Sequence, residues 1–595
     1  MVTYAPPLRD MEFIWAELLS APAKLASFPA FTEIDAGLMR SVVAEAGRFA
    51  SGVLFPLNGS GDREGCHFDH GMVRTPKGFA DAYRQFVVAG WPALACAAED
   101  GGQGLPNLLN CMLFEMTCAA NHAWTMYPGL LHGAYVCIRE HADEALKRRY
   151  LPKLASGEWL ATMCLTEPQA GSDLGLLTTK AEPRPDGSFR VTGNKIFISG
   201  GEQDISENIV HLVLARLPDA PPGSKGISLF LVPKILSQGD VLGEHNAVHC
   251  LGIEHKMGIR GSATCAMEFS GATGWLIGQE NRGLQAMFVM MNAARLHVGA
   301  QGVGIAEAAY QQALAYARER VQMKAVTRPE SRRHMAADPI ITHPAVSRLL
   351  MNQRARTEGG RMLLYWTALM LDTAEHHAES AVRHEADELV SLITPVVKAM
   401  LTEQAFISTH QALQVFGGHG FICETGIEQY LRDVRVTLIY EGTNEIQAID
   451  LLVRKVMGDS GRRLGQFLAQ VASDVASAQQ GCIAGAASAL SDLVASVGQL
   501  TKDITVRAAA EPELPYRIAP EYLRLLGHCA QAWLWLKAAA IAHAGHAQDP
   551  EFYGEKIATA GYYFNFVLPE VHQHAAVISR ATTTSVTSPN PAAAT

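Results

Sequence analysis

A change in sequence texture near residue 160, reversed near residue 275, constrains the fold of this chain more than any other feature. Within this stretch, short runs of β-branched and aromatic residues alternate with glycine and proline, as strands alternate with turns. The predicted strands span residues 189–191, 195–199, 210–215, 227–232 and 264–269. On both sides of the stretch, apolar residues recur at helical spacing. The pattern therefore predicts a small β domain inserted between two helical parts.

The composition excludes several classes of protein. With 595 residues, 48% of them hydrophobic and 18% charged, the chain is expected to be a soluble, mainly helical protein of three or more domains. A net charge of -10 argues against a nucleic-acid partner. No uncharged apolar run reaches the ~18 residues of a membrane span, and no signal-peptide pattern is present. The eleven cysteines contain no CxxC pair, which favours reduced thiols in the cytoplasm and neither disulfides nor a metal site.

Glu441 stands on a predicted turn between the β-prone residues 434–439 and a helix whose apolar positions begin at Ile446. Free backbone N–H groups and the positive end of the helix dipole favour an anion at such a turn. Gly442 removes a Cβ that would hinder close approach, and Thr443 adds a hydroxyl group. The turn alone leaves two interpretations open: a capped helix start, or an acid placed for chemistry.

Two glycine-containing loops offer further candidate contacts. Residues 163–173 precede the β domain and combine the hydroxyls of Thr166 and Ser172 with a glycine at 171, which suits a ring edge or a pyrophosphate. Residues 414–420 form a glycine turn shortly before Glu441. A plain surface loop is the alternative interpretation of each.

Together these segments resemble the acyl-CoA dehydrogenase family. The segments that carry the resemblance are TEPQAGSD at residues 166–173, KIFISG at 195–200, QVFGG at 414–418 and YEGT at 440–443. Each is weak alone, but their order and spacing are those of the family. The chain length and EHKMGIRGS at residues 254–262 further resemble a long subgroup of the family. That subgroup includes 3-methylmercaptopropionyl-CoA dehydrogenases and broad-range bacterial acyl-CoA dehydrogenases.

The resemblance implies a mainly α fold of the acyl-CoA dehydrogenase type. The expected parts are an N-terminal helical domain (1–160), a central β domain (161–275), a C-terminal helical bundle (276–460), an extra C-terminal helical domain (461–580) and a disordered tail (581–595). Residues 523–541 in the extra domain are apolar on nearly every side, so this predicted helix must be buried. Because no acid–base pair or glycine cradle occurs there, we expect a structural role for this domain.

The resemblance also implies FAD as cofactor and an acyl-CoA as substrate. The residues that would contact FAD are Met163, Leu165, Thr166, Ser172, Phe197, Ser199, Arg320, Gln414, Gly417, Gly418, Thr443 and Glu445. Of these, Gln414, Gly417 and Gly418 would be offered by a neighbouring subunit. The residues that would bind the acyl-CoA are Ser172, Asn292, Arg295 and Gly442. Phe197 and Glu445 differ from the tryptophan and glutamine common in the family, but neither change removes a group that the chemistry needs.

Glu441 would be the catalytic base that removes the α-proton while the β-hydrogen leaves as hydride. Some family members carry the base at the position of Ala294, which cannot accept a proton, so Glu441 is the candidate. An electron-transfer flavoprotein would be the electron acceptor, and a homodimer is the expected assembly. An acyl-CoA oxidase of the same fold and a non-catalytic flavin or acyl-CoA scaffold remain alternatives. The acyl group, short and sulfur-containing or long and straight, stays open.

Overall fold

The computed structural model describes residues 3–238, 241–478 and 483–583. Helices form the described N-terminal part, apart from one short hairpin. They are α1 (Leu8–Glu12), α2 (Ala21–Ala26), α3 (Ala36–Phe49), α4 (Phe55–Glu64), α5 (Phe79–Val88), α6 (Asn107–Thr125), α7 (Leu131–His141) and α8 (Glu144–Ala155). The hairpin of β1 (His67–Asp69) and β2 (Met72–Arg74) lies between α4 and α5, where no strand was predicted.

Helix α8 contains Pro152 and continues past it to Ala155. A proline lacks an N–H group and usually interrupts a helix. Here Pro152 lies in the last turn, and its carbonyl still accepts a hydrogen bond of 3.0 Å from the Ser156 N–H. The proline therefore interrupts few helical hydrogen bonds, because the helix ends within one turn of it.

The central part contains the predicted β domain. Its strands are β3 (Trp159–Cys164), β4 (Lys180–Pro183), β5 (Phe189–Ser199), β6 (Asn208–Ala215), β7 (Ser228–Pro233), β8 (Ile235–Gln238), β9 (Val241–His245), β10 (Val248–Ile253) and β11 (Thr264–Ile277). Seven strands form one sheet in the order β3-β6-β7-β11-β5-β4, with β10 also paired to β11, and β8 pairs with β9. Two predicted strands merge into β5, and β3 was missed. The six residues of β3 include a single β-branched residue, Thr162, and a single aromatic residue, Trp159, so the strand lacks the composition by which the other strands were recognised.

The next helical part is built on three long helices. They are α9 (Gly283–Glu319), α10 (Pro344–His376) and α11 (Ser380–Phe416), followed by α12 (Ile427–Val434) and α13 (Asn444–Ile449). Helix α9 is continuous over its 37 residues. Its internal glycines bring it close to its neighbours, since a Cβ at Gly299 would lie 2.5 Å from Val397 Cγ1 and one at Gly304 would lie 2.4 Å from the Glu115 carbonyl oxygen.

The predicted β-prone run at residues 434–439 is wrong. It is the end of α12 followed by the 3₁₀ turn Arg435–Leu438. The hydroxyl of Thr437 donates to the Val434 carbonyl at 2.7 Å, and the Tyr440 N–H donates to the Val436 carbonyl at 3.1 Å. These local hydrogen bonds satisfy the backbone without a neighbouring strand.

Five helices follow in the C-terminal part. They are α14 (Arg462–Ser477), α15 (Ala484–Ala508), α16 (Leu514–Gly545), α17 (Pro550–Tyr562) and α18 (Glu570–Thr583). The predicted burial of the apolar helix is confirmed, because Trp533 and Trp535 in α16 are at most 1% exposed. The predicted tail begins inside α18 for residues 581–583, and its residues 584–595 lie outside the described part. We propose the changes of element type at Trp159, Gly283 and Arg462 as domain boundaries.

Helix α16 packs directly on α10 and α11. A Cβ at Gly359 of α10 would lie 2.6 Å from Trp535 Nε1, and one at Gly527 of α16 would lie 2.0 Å from Met400 Sδ of α11. A buried ion cluster adds a second tie. Arg361 of α10 contacts Asp10 at 2.5 Å, and Lys556 of α17 also pairs with Asp10. The start of the chain and its C-terminal helices therefore close over the same core.

One described helical stretch, Ser380–Phe421, is long and apolar enough for a membrane span by length and composition. However, 72% of its most apolar window is buried inside the protein. It contains α11, which packs between α9, α10 and α16, so its apolar character serves the core.

Candidate active site

The turn that carries Glu441 has an uncommon backbone conformation. Glu441 has φ of +56° and Gly442 has φ of +84°, so two successive residues lie in the left-handed region. This region is easy for glycine but costs a residue such as glutamate ~1–2 kcal/mol. Two side chains hold the turn: Lys398 Nζ donates to the Gly442 carbonyl at 2.8 Å, and Gln447 Nε2 donates to the Glu441 carbonyl at 2.9 Å. These two hydrogen bonds stabilise the strained conformation of the turn.

Lys398 and Asn444 anchor the turn to α11. Lys398 is fully buried, and its ammonium also donates to Asn444 Oδ1 at 2.8 Å. The Asn444 amide donates in turn to the Ala399 carbonyl and to Thr402 Oγ1, both at 3.1 Å. Sequence reasoning missed these two residues. The signal available was a lone lysine between Val397 and Ala399 in an otherwise apolar helix segment.

Burial raises the pKa of Glu441 to about 7, although the cations Arg295 and Lys398 act in the opposite direction. Burial also lowers the pKa of Lys398 to about 7, against the attraction of Glu441. Arg295 is 6% exposed, and burial lowers its pKa from the ordinary value. A carboxylate with a pKa near neutrality is suited to accept a proton from a weak carbon acid.

Glu441 lines a cavity of about 390 Å³ including its open mouth. Its lining residues are Met126, Gly129, Leu130, Ser199, Ala294, His297, Val298, Gln301, Tyr440 and Glu441. The cavity brings Glu441 together with Ser199, one of the predicted cofactor contacts. Ala294, where some family members carry their base, lines it too. The cavity therefore lies between the end of β5, helix α9 and the Glu441 turn.

The wall of the cavity carries polar groups that were not predicted. The Tyr440 hydroxyl donates to Gln301 Oε1, and Gln301 Nε2 lies 3.8 Å from the sulfur of Met126. His297 Nδ1 lies 3.3 Å from the Gly129 carbonyl oxygen. A carbonyl oxygen only accepts, so Nδ1 carries the proton. These groups come from the turn after α6, from α9 and from the Glu441 turn, and a single sequence shows no motif that joins them.

The predicted loop at residues 163–173 is organised by a buried ion pair. Lys195 Nζ of β5 lies 2.8 Å from Glu167 Oε1 and 3.0 Å from the Leu165 carbonyl oxygen. Glu167 is 2% exposed and also accepts from the backbone and hydroxyl groups of Thr178 and Thr179. Burial opposes its ionisation, but Lys195 and these hydrogen bonds lower the pKa of Glu167 to about 2. The pair was missed as a determinant of the loop.

Beside this pair, the predicted flavin contacts lie at the protein surface or just beneath it. Phe197 is 58% exposed and has φ of +61°, while Leu165 and Thr166 are partly exposed. Met163 is 8% exposed. Ser172 is exposed on the loop. A Cβ placed on the neighbouring Gly171 would have no atom within 4 Å, so the space in front of this part of the loop is open. An exposed aromatic ring next to an open glycine loop leaves a surface that a flat ring can cover.

The other predicted substrate and cofactor residues lie near the Glu441 turn. Arg295 Nη1 is 3.5 Å from Asn292 Oδ1 and 3.6 Å from Asp450 Oδ2. Thr443 caps α13, with its hydroxyl 3.4 Å from the Ile446 nitrogen, and Glu445 is exposed in the first turn.

A second predicted group lies at the far end of α9. Arg320 follows the last residue of α9, about 38 Å along the helix from Arg295 at 1.5 Å per residue. Nearby, Tyr316 stacks on Phe416 with 4.2 Å between ring centroids, which joins the ends of α9 and α11. The exposed residues of this group are Arg320, Gln414, Gly417 and Gly418. The structure therefore does not bring them into the cavity that contains Glu441.

Four family models match successive parts of the chain. "Acyl-CoA dehydrogenase, N-terminal domain" matches residues 40–158, "Acyl-CoA dehydrogenase, middle domain" residues 162–272 and "Acyl-CoA dehydrogenase, C-terminal domain" residues 281–456. "Acetyl-CoA dehydrogenase C-terminal like" matches residues 467–589.

Known proteins resemble the chain over nearly all of its length. A 3-methylmercaptopropionyl-CoA dehydrogenase from Ruegeria pomeroyi is 43% identical over 574 residues, 96% of this chain and 97% of the relative. The broad-specificity linear acyl-CoA dehydrogenase FadE5 from Mycobacterium tuberculosis is 35% identical, with 96% of each chain covered. A solved structure of an acyl-CoA dehydrogenase complexed with FAD from Bacillus anthracis has a TM-score of 0.76 at 21% identity, covering 93% of this chain and 90% of that one.

Proposed function

The chain belongs to the acyl-CoA dehydrogenase family, and from that premise we propose how its residues carry out the reaction. The protein is an FAD-dependent oxidoreductase, and its fold is that of the family with an additional C-terminal domain. The proposed reaction introduces a double bond between the α and β carbons of an acyl-CoA thioester. The observation that carries this proposal is Glu441 on a fixed turn, facing the same cavity as Ser199.

The residues around Phe197 fit a flavin ring. The ring of Phe197 is 58% exposed although it is apolar, and Thr166 and Ser199 are partly exposed. The Ile196 N–H of β5 donates to the Thr166 carbonyl at 2.9 Å, which places Thr166 beside this strand. A flat aromatic ligand with polar edges can pack against an exposed aromatic side chain and form hydrogen bonds with the hydroxyl groups beside it. We assign Met163, Leu165, Thr166, Phe197 and Ser199 to this contact. FAD, when bound, supplies the acceptor for the β-hydride.

Glu441 is the base in this proposal. Its carboxylate accepts the α-proton of the thioester, the C–H electron pair moves into the new C=C bond, and the β-hydrogen leaves with its own electron pair. Burial raises the pKa of Glu441 to about 7, so near neutral pH a large part of the group is ionised and this carboxylate is more basic than an ordinary one. Lys398 and Gln447 hydrogen-bond to the backbone of this turn, so the carboxylate is held in one orientation before the substrate binds. Ala294 lines the same cavity and offers no competing base.

Arg295, Asn292, Gly442 and Ser172 are assigned to the acyl-CoA. Arg295 is a buried cation within reach of Asn292 and close to Glu441, so it favours the negative charge that develops as the α-proton leaves. Ser172 is exposed on a loop at the mouth of the β domain, where the polar arm of the thioester can pass. Thr443 and Glu445 would hold the dinucleotide beside this turn.

We infer that the acyl group is short. The side chains of His297, Gln301, Tyr440 and Met126 line the cavity and are held by one another or by the backbone, so the wall that they form is not free to move aside for a long chain. The Gln301 amide already approaches the thioether of Met126 at 3.8 Å, so this wall is compatible with a sulfur atom in the substrate. Such chemistry matches the name of the Ruegeria pomeroyi relative, which acts on a thioether acyl-CoA.

We propose a homodimer in which Arg320, Gln414, Gly417 and Gly418 serve the FAD of the neighbouring subunit. Their exposure and the distance of about 38 Å along α9 from Arg295 to Arg320 support this arrangement. The electron acceptor is proposed to be an electron-transfer flavoprotein, because the relatives are named dehydrogenases. All ten described cysteines are free, which agrees with a cytoplasmic location.

The test is the flavin spectrum of the purified protein under anaerobic conditions. Addition of 3-methylmercaptopropionyl-CoA or butyryl-CoA is expected to bleach the flavin, whereas free CoA is not. Slow reoxidation in air would agree with a dehydrogenase, and fast reoxidation would identify an oxidase. Flavin that no acyl-CoA bleaches would contradict the proposed function and favour a binding scaffold.

A further inference from the structure

A second cavity lies behind the one that contains Glu441, and the reaction described above gives it no role. Its volume is about 430 Å³ including its open part. Residues of α5, α6 and α7 line it, together with His297 of α9 and the turns that follow α5 and α6. Most of the lining is apolar or aromatic, with Phe86, Leu113, Trp124 and Leu131 among the residues, and its polar members besides His297 are Asn110, Thr117, Thr125 and His132. Glu441 and Ser199 do not line it. An apolar cavity of this kind is suited to an alkyl chain.

The two cavities share one wall, the imidazole of His297. His297 lines both cavities, whereas Phe114 lines only the second. The rings of His297 and Phe114 stack with centroids 4.3 Å apart and an angle of 19° between their planes. The stacked pair therefore stands between the acyl cavity and the second cavity.

The position of this pair is fixed by its contacts. His297 Nδ1 is 3.3 Å from the Gly129 carbonyl oxygen, which holds the imidazole from one side. A Cβ at Gly129 would lie 3.1 Å from Phe114 Cζ, so the Phe114 ring rests directly on the glycine backbone. Phe114 and His297 are 8% and 7% exposed. The stacked rings of His297 and Phe114 therefore separate the two cavities, and neither residue belongs to the Glu441 turn.

The imidazole is uncharged at neutral pH. Burial lowers the pKa of His297 to about 4, with His132 acting in the same direction and the Gly129 carbonyl opposing it. A neutral stacked ring can lie against an alkyl group or a thioether without the desolvation cost of a charge. The wall thus closes the acyl cavity with an apolar face.

We propose that the second cavity is a subsite for the distal part of an alkyl chain, kept separate from the acyl cavity by the stacked pair of His297 and Phe114. This pair then restricts the native enzyme to short acyl groups. The inference rests on the proposed function, because it concerns the acyl chain of that same reaction. Removal of either ring joins the two cavities, and the chain of a longer substrate continues into the second one.

The experiment compares kcat/KM for butyryl-CoA and lauroyl-CoA in the native protein and in His297→Ala and Phe114→Ala. The native protein is expected to prefer butyryl-CoA. In either variant the ratio of lauroyl-CoA to butyryl-CoA is expected to rise about tenfold or more, the gain from burying two further methylene groups. His297→Phe keeps a ring of similar size at the wall and is expected to retain the native preference.

Binding gives a readout that does not need turnover. In a Glu441→Gln background, calorimetry should show that adding His297→Ala tightens the binding of lauroyl-CoA relative to that of butyryl-CoA. Equal kcat/KM for both substrates in the native protein would overturn the proposal, as would an unchanged ratio in both alanine variants. If native flavin is bleached by no acyl-CoA at all, the proposed function fails instead, so the two failures are distinguishable.

Discussion

Lys398 donates a hydrogen bond from Nζ to the carbonyl oxygen of Gly442, the residue directly after Glu441, at 2.8 Å. The same ammonium reaches Asn444 Oδ1 at 2.8 Å, so one buried cation joins both ends of the catalytic turn to the middle of α11. Since Glu441 and Gly442 both have positive φ, the turn needs such support to keep its shape. Lys398 is thus a positioning residue for the proposed base.

Lys398→Met is expected to lower kcat more than it changes binding of the acyl-CoA. The methionine leaves the Gly442 carbonyl and Asn444 without their donor, a loss of ~1–3 kcal/mol that corresponds to about five- to 150-fold in rate. Lys455→Met is the matched control. Lys455 is also a partly buried lysine, but it donates to Ser391 Oγ at 2.7 Å and not to the Glu441 turn. A Lys398→Met enzyme with native kcat would show that the Glu441 turn keeps its conformation without the hydrogen bonds of Lys398.

The pH dependence of flavin reduction follows from the pKa of Glu441, which burial raises to about 7. The base works as a carboxylate, so kcat/KM should fall as pH drops below about 7, tenfold per pH unit, and level off above it. The Lys398 cation lowers the pKa of Glu441, so Lys398→Met should move this limb to higher pH. Because the two groups interact, the native profile reports the pair and not one residue. A profile flat from pH 5 to 9 would contradict the assignment.

Lys195→Met is expected to reduce both thermal stability and the amount of bound FAD. It leaves Glu167 buried without its counter-charge, a change that typically costs ~3–5 kcal/mol, and it frees the loop that carries Thr166 and Ser172. Tm and the ratio of flavin to protein are the measurements. Arg190→Met on the same strand breaks an exposed ion pair with Glu182 and should have little effect on either. Equal losses in both variants would argue against a special role for the buried pair.

Truncation after Asp459 is expected to give aggregation or a lowered Tm. It removes α16, whose Trp533 meets Trp366 of α10 with ring centroids 5.3 Å apart, and exposes the face of α11 around Met400. Burial of one large apolar side chain contributes ~1.5–3 kcal/mol, so loss of this interface is not tolerated by the core. A soluble truncated protein with the same oligomeric mass and Tm would show that the C-terminal helices are an independent appendage.

Sequence patterns predicted the order of helical and β parts and the buried helix α16, because these depend on hydrophobic periodicity along the chain. They failed where tertiary packing decides. Strand β3 was missed because it contains a single β-branched residue, Thr162. Residues 434–439 form a turn because local hydrogen bonds replace a strand partner. The glycines inside α9 serve close contacts with α6 and α11, which only the folded structure shows.

The candidate site divides in the same way. Glu441 and Ser199 could be named because each lies within a short motif that the family shares. Lys398, Gln301 and His297 could not, since each comes from a long helix and reaches the cavity only through the fold. Glu167 and Lys195 both stood in recognised motifs, but their pairing across 28 residues of sequence is visible only in three dimensions.

The most direct test of the account is the rate of anaerobic flavin reduction in Glu441→Gln. The amide matches the carboxylate in size but cannot accept the α-proton, whereas Glu385→Gln, an exposed change on α11, serves as the control. We predict that Glu441→Gln keeps its FAD and still binds acyl-CoA, while the reduction rate measured by stopped flow falls by about 10² to 10⁴ or more. Flavin bleaching at a near-native rate in this variant would contradict the assignment of Glu441 as the base.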